Sequence, residues 1–144
     1  FSLISIPFSM TVPSLTTRLS DGHRRIMLAI ISIAGMMGIA MLLYPANNFL
    51  YWLFVHLLIG TACSALFPYL MVCFSLKTSS PEKTAQLSGL AQTGGYILAA
   101  FGPALFGYSF ELFQSWIPAV LALLAVDIIM TVSLFMVDRA DKIL

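Results

Sequence analysis

The sequence predicts an all-α integral membrane protein, a transmembrane helix bundle of five spans. Three observations predict it. Apolar residue types make up 60% of the 144 residues and charged types only 9%, where a soluble domain carries about 25% charged residues. The mean hydropathy is +0.96. The apolar residues also fall into five long runs parted by short polar or turn-forming segments, as a bilayer core about 30 Å thick requires of its helices. The same composition excludes other classes. There is no basic patch with interleaved aromatics, so nucleic acid is not an expected partner. There is no phosphate-cradling glycine loop, nucleophile triad or metal-ligating cluster, so no enzyme activity, cofactor or metal is expected. Cys63 and Cys73 share one run. Their spacing puts them about 15 Å apart along a helix, too far to bridge, and both read as free thiols.

The first span, residues 1–17, opens on Phe1 inside an apolar run. The sequence therefore reads as a piece of a longer protein, with this span truncated. Pro7 and Pro13 predict kinks, which lipid tolerates where a neighbour or a Ser/Thr side chain satisfies the freed carbonyls. Thr16 to Arg25 reads as a hydrophilic loop with a tight turn at Asp21-Gly22. The second span, 25–44, carries no charge from Ile26 to Tyr44 and has a small pair, Ala34 and Gly38. Pro45 to Asn48 is a turn. The third span, 49–76, has His56 near its start and Gly60, Ser64 and Pro68 four apart. In the polar loop from Lys77 to Lys83, Ser79 and Glu82 have capping-box spacing, and Ser80-Pro81 suits an N-cap followed by the first helical residue. The fourth span covers 82–110. The fifth, 116–137, is interrupted by Asp127, and a charged tail runs from Asp138 to Leu144.

The fourth span is the most informative. Ala85 to Phe110 is 26 residues without a formal charge, a helix about 39 Å long. Ala91, Gly95, Ala99, Pro103 and Gly107 lie four apart on one slowly drifting face, of the kind that lets helix backbones approach closely in lipid. Ser88, Gln92, Thr93 and Tyr96 lie beside that stripe. Ordinary bundle packing explains the small residues but not Gln92 with Tyr96, which point to a cavity.

The basic residues sort by side. Arg18, Arg24 and Arg25 fall in the first connection, Lys77 and Lys83 in the third, Arg139 and Lys142 in the tail. These segments share one side of the membrane, and the positive-inside rule makes it the cytoplasm. The N-terminus is then outside and the C-terminus cytoplasmic. Tyr44, Tyr51, Trp52, Tyr108 and Trp116 read as an aromatic girdle at the outer interface.

Asp21 followed by Arg24-Arg25 in a short connection between two spans resembles the loop signature of the major facilitator superfamily. Gly94-Gly95, Gly102-Pro103 and Gly107 resemble its glycine-proline helix. Leu87 to Gly107, LSGLAQTGGYILAAFGPALFG, resembles more narrowly the cyanate and nitroimidazole transporter branch. The resemblance implies residues 1–144 to be the C-terminal bundle of a larger twelve-helix carrier, helices 8–12, in the plasma (inner) membrane. The missing N-terminal half would be its partner. It implies alternating access to a midplane site between two halves, with a small anion such as cyanate, or a small polar heterocycle, as solute. The first, third and fourth spans would face the cavity and the second and fifth would lie towards lipid. Glycines and proline at Gly95, Gly102, Pro103 and Gly107, with Ala91, would serve helix packing. Asp21, Arg24 and Arg25 would form a cytoplasmic latch, a carboxylate gaining from a facing helix N-terminus; a solvated turn acid with orientation-setting arginines is the plainer reading.

Carried onto the midplane, the cavity candidates are Ser5, Ser9, Cys63, Phe67, Gln92 and Tyr96, with Phe8 as a further wall. For Phe8 and Phe67 plain helix packing is the commoner role. His56 lies near the outer end, suited to proton coupling or gating, or to an interfacial hydrogen bond. Asp127 lies near mid-span, where a carboxylate costs about 2.5–3.5 kcal/mol to insert. It reads as proton coupling or as a structural hydrogen bond. The rival to a transporter is a non-transporting membrane subunit that packs against a partner.

Overall fold

A computed structural model describes residues 2–141, apart from the side chains of Ser2 and Ile4. The described residues form five helices: α1 Ser2–Arg18, α2 Asp21–Met41, α3 Phe49–Lys77, α4 Pro81–Phe113 and α5 Ile117–Arg139. Helices α2 to α5 are long and apolar enough to cross a membrane. The chain is an all-α membrane helix bundle.

Local chemistry sets the helix ends. Asn48 caps α3, its side chain accepting from the Leu50 N–H at 3.0 Å. Ser80, not Ser79, caps α4; its hydroxyl accepts from the Lys83 N–H at 3.4 Å and Pro81 opens the first turn, where a missing N–H costs nothing. Gln114 ends α4 in the left-handed region, φ 51°, and its Nε2 donates to the Glu111 carbonyl at 3.0 Å.

Two expected boundaries move. The stretch read as a loop, Thr16 to Arg25, is helical except at Leu19 and Ser20. Asp21-Gly22 is no tight turn but the start of α2 behind an extended Ser20, where an acid complements the helix dipole. Polar residues outside the bilayer continue a helix as readily as apolar ones, so polarity misplaced the end. At its far end α2 stops at Met41. Leu42, Leu43 and Tyr44 each donate three residues back, to Ile39, Ala40 and Met41, at 3.0–3.1 Å, the tightening usual in a last turn. In α1 the expected carbonyl satisfaction takes another form. Thr11 and Thr17 donate to the carbonyls of Pro7 and Pro13 themselves, at 2.7 and 3.2 Å, rather than to those the prolines free one turn earlier.

Helix α3 is the centre. Helices α1 and α2 pack on it, and α5 packs on α2. Val12, Leu28, Ala62, Ala65, Leu66, Tyr69, Cys73 and Leu134 make the core. The close approach of α2 to α3 occurs at Gly35 and Gly38 rather than at the small pair Ala34 and Gly38. A Cβ on Gly35 would come 2.9 Å from Ala62 Cβ, and one on Gly38 2.8 Å from Ile59 Cγ1. Helices α2 and α5 run antiparallel. The register that joins Arg24 to Asp138 also sets Gly35 by Asp127, with Leu28 and Leu134 in the shared core between them. Their outward faces, with Ile26, Ile30 and Ile33 on α2 and Val126, Ile129 and Val132 on α5, are exposed.

Helix α4 stands apart, with no buried residue. A Cβ added at Gly94, Gly95, Gly102 or Gly107 would meet nothing within 4 Å.

Candidate functional site

Phe67, about two thirds of the way along α3, is the point from which three recesses open. The first lies between α1 and α3, about 560 Å³, lined by Ser9, Pro13, Thr17, Phe67, Pro68 and Met71 among others. The second lies between α3 and α4, about 300 Å³, lined by Phe67, Leu70, Met71, Ala91, Gln92, Gly95, Tyr96 and Ala99. The third, about 280 Å³, lies on the opposite flank of α3 and includes Gly35, Ala62, Cys63, Phe67 and Asp127.

The helical period explains the placing. Gln92 and Tyr96 are one turn apart and share the face that α4 turns to Phe67 and Met71. Gln92 Nε2 approaches Met71 Sδ at 3.6 Å, a weak acceptor that leaves most of the amide's capacity unused. Tyr96 is 68% exposed, so its ring stands at the mouth of the groove. The small residues Ala91, Gly95 and Ala99 line the same groove. The stripe thus faces α3 across the groove. Among these oxygen, amide and aromatic groups no formal charge occurs.

The expected cavity set is therefore divided. Phe67, Gln92 and Tyr96 come together, and Ser9 meets Phe67 in the neighbouring groove. Ser9 itself donates to the Ile6 carbonyl at 3.0 Å. Ser5 is half-buried one turn away from Ser9 on α1. Phe8 packs against the core. Cys63 is on the other flank, in the recess that holds Asp127. His56 is exposed near the start of α3, its Nδ1 2.7 Å from the Trp52 carbonyl, and is not among the residues around these recesses. Asp127 is 8% exposed and faces the junction of α2, α3 and α5.

At the end where α2 begins and α3 and α5 finish, the basic residues converge on one carboxylate. Asp138 accepts from Arg24 Nε at 2.7 Å, Arg25 Nε at 2.9 Å and the Tyr69 hydroxyl at 2.9 Å. Lys77 Nζ donates to the Asp138 carbonyl at 2.8 Å and also to that of Ala140. Asp21 pairs with Arg24 at 2.9 Å but stays largely in the open. Of the three residues expected to form a latch, Arg24 is buried on Asp138, Arg25 is half-exposed on the same carboxylate, and Asp21 faces outward. In the sequence Asp138 reads only as part of the tail and Lys77 only as part of a polar loop. The available signal was spacing: Asp127, Thr131, Leu134 and Asp138 recur on one face of α5. Nothing local marks Tyr69. Arg18, Lys83 and Arg139 lie at the same end by connectivity; Lys142 is outside the described residues.

The opposite end carries the aromatics. Tyr51 donates to the Met41 carbonyl at 2.6 Å and Trp52 Nε1 to that of Ala46 at 2.7 Å. Tyr44 and Tyr51 rings lie 6.1 Å apart, and Phe110 stacks on Trp116 at 4.5 Å. Tyr108 is exposed.

No family model matches the chain, and no solved structure matches it. Two curated proteins do. The chain is 29% identical over 126 residues, 88% of its own length, to the "Uncharacterized transporter YycB" of Bacillus subtilis (strain 168), of which the match covers 31%. It is 37% identical over 73 residues, 51% of its length, to the "Putative anionic 4-hydroxy-benzoate permease" of Thauera aromatica, of which the match covers 44%. The chain thus spans less than half of either relative. Both are named for transport, which points away from an enzyme.

Proposed function

We propose that the chain is part of a secondary active transporter of a small organic anion, working by alternating access. The groove between α3 and α4 carries the reading. It offers an amide at Gln92, a phenol at Tyr96 and an apolar wall at Phe67 and Met71, a combination suited to a small planar solute. Gln92 can donate to a carboxylate or cyanate-like anion without the strong, slow-releasing pairing that a buried arginine would impose. The permease name of one relative supports an aromatic acid as the test solute; the family resemblance adds cyanate and nitroimidazoles. The major facilitator assignment, its cyanate branch, and the cytoplasmic placing of the basic end all belong to this proposal. So does the idea that a preceding half of the carrier covers α4.

The test is uptake of labelled 4-hydroxybenzoate and cyanate by cells expressing the intact protein. Tyr96→Ala and Gln92→Ala are each expected to lower uptake at least about tenfold, the loss of one hydrogen bond of about 1.5 kcal/mol to a charged solute. Undiminished uptake and affinity in both variants would remove the groove from the pathway. Exposure of α4 also suits a second reading, a non-transporting subunit that packs against a partner membrane protein. No uptake in the presence of stable co-purification with such a partner would favour it.

A further inference from the structure

Mid-way along the interface of α2 and α5, three oxygens have no hydrogen-bond partner within the protein: Ser32 Oγ, Asp127 Oδ2 and Thr131 Oγ1. Their residues are deeply buried, at 1%, 8% and 8% exposure. The two hydroxyls depart from what other helical hydroxyls of the chain do. Thr16, Ser64 and Ser133 turn back to the carbonyl four residues earlier, at 2.7, 2.6 and 2.8 Å, the usual way to satisfy such a group in a helix. Ser32 and Thr131 do not. The α2–α5 pairings of Arg24 with Asp138 and of Gly35 with Asp127 put Ser32 and Thr131 at the same level of the interface, and Thr131 is one turn from Asp127.

Space and charge point the same way. Asp127 Oδ2 lies 3.7 Å from where a Cβ on Gly35 would be, so the glycine leaves room in front of the carboxylate. The recess beside Cys63 leads to it. The guanidinium groups of Arg24 and Arg25 are committed to Asp138, about 16 Å further along α5. A buried carboxylate without a counter-charge is costly in a protein and more so in lipid.

We propose that Ser32, Asp127 and Thr131 form a binding site for one hard monovalent cation, for which sodium is the probe. Carboxylate and hydroxyl oxygens are hard donors. One carboxylate balances one positive charge; a divalent ion would leave a net charge inside the bilayer. A bare proton would give Asp127 one O–H to donate, enough for one hydroxyl oxygen and not for both. As a coupling site for anion transport this rests on the transporter reading, but cation binding itself does not.

The experiment uses the intact protein in detergent, at constant ionic strength with choline as the replacement ion. Radioactive sodium binding is measured together with the alkylation rate of Cys63 by N-ethylmaleimide, the buried Cys73 serving as internal control. The expected result is saturable binding of one sodium per chain, with slower Cys63 alkylation in sodium than in choline. Asp127→Asn abolishes both effects. Ser32→Ala and Thr131→Val each weaken affinity by about tenfold, the lower end of what loss of a metal's supporting group costs. Absence of saturable binding, or binding unchanged in Asp127→Asn, overturns the site. Should that variant fail to fold, unchanged affinity in both hydroxyl variants overturns it equally. Sodium binding without solute uptake would defeat the transporter reading and leave the site; uptake without sodium binding would do the reverse.

Discussion

Asp138 gathers two guanidinium groups, a phenol and, through its carbonyl, a lysine. Arg24 and Asp138 have almost no exposed side-chain surface, so removal of the carboxylate leaves a buried cation without its partner. Such losses cost about 3–5 kcal/mol. Asp138→Ala is therefore expected to lower thermal stability in detergent by that order, whereas Asp21→Ala, which loses one exposed pair, should cost under about 1 kcal/mol. Equal small shifts from both variants in a thermal unfolding series would contradict the packing described. The glycines separate in the same way. Gly38→Ala puts a methyl within 3.2 Å of Ile59 backbone nitrogen as well as against Leu58, and overpacking of this kind costs about 1–3 kcal/mol. The residue types on these positions were visible in the sequence. Which of the glycines are pressed against a neighbour was not, because that depends on the rotation of α2 about its axis.

Helix α4 shows the difference between pattern and contact. Its cap, length and small-residue face are all local properties, legible from Ser80-Pro81 and the spacing of Ala91, Gly95, Ala99, Pro103 and Gly107. Its lack of buried residues is not local. Gly95→Ala meets no atom, so it is expected to leave the stability of this chain unchanged or raise it by up to about 1 kcal/mol, alanine being the better helix former. If the stripe is a packing face for the rest of a carrier, Gly95→Leu should instead reduce uptake while unfolding of the chain stays unaltered. Uptake at the unsubstituted level would remove the packing role from that position. Helix α5 makes the opposite case. The family resemblance places it towards lipid, and its one buried face, from Ala119 through Asp127 to Asp138, packs on the bundle at α2 while the other stays exposed.

At the scale of the whole molecule, the bundle has a basic end and an aromatic end, with exposed apolar side chains between them. Lipid can cover most of that surface, but not the amide of Gln92 or the open groove beside it without loss. The 144-residue chain purified alone is therefore expected to self-associate in mild detergent, as polar groups and small-residue faces at membrane depth find partners. Light scattering coupled to size exclusion decides it; a stable monomer would count against the idea that α4 awaits a covering helix. The mass of the native protein in its own membrane is the companion measurement. A mass more than twice 15.8 kDa is expected for a full carrier.

By itself the sequence determined the class, the number of helices, most of their ends and the segregation of basic from aromatic residues. These follow from hydropathy, caps and charge, which act over a few residues. Only the tertiary structure decided which side chains meet. Gln92 and Tyr96 were within reach of sequence reasoning because both lie on one helix, one turn apart. Arg24 with Asp138, and Gly35 with Asp127, were not, because each grouping joins residues about a hundred positions apart. Their meeting depends on the antiparallel register of α2 and α5, tied by the buried charge pair, whose two partners no short stretch of the chain contains.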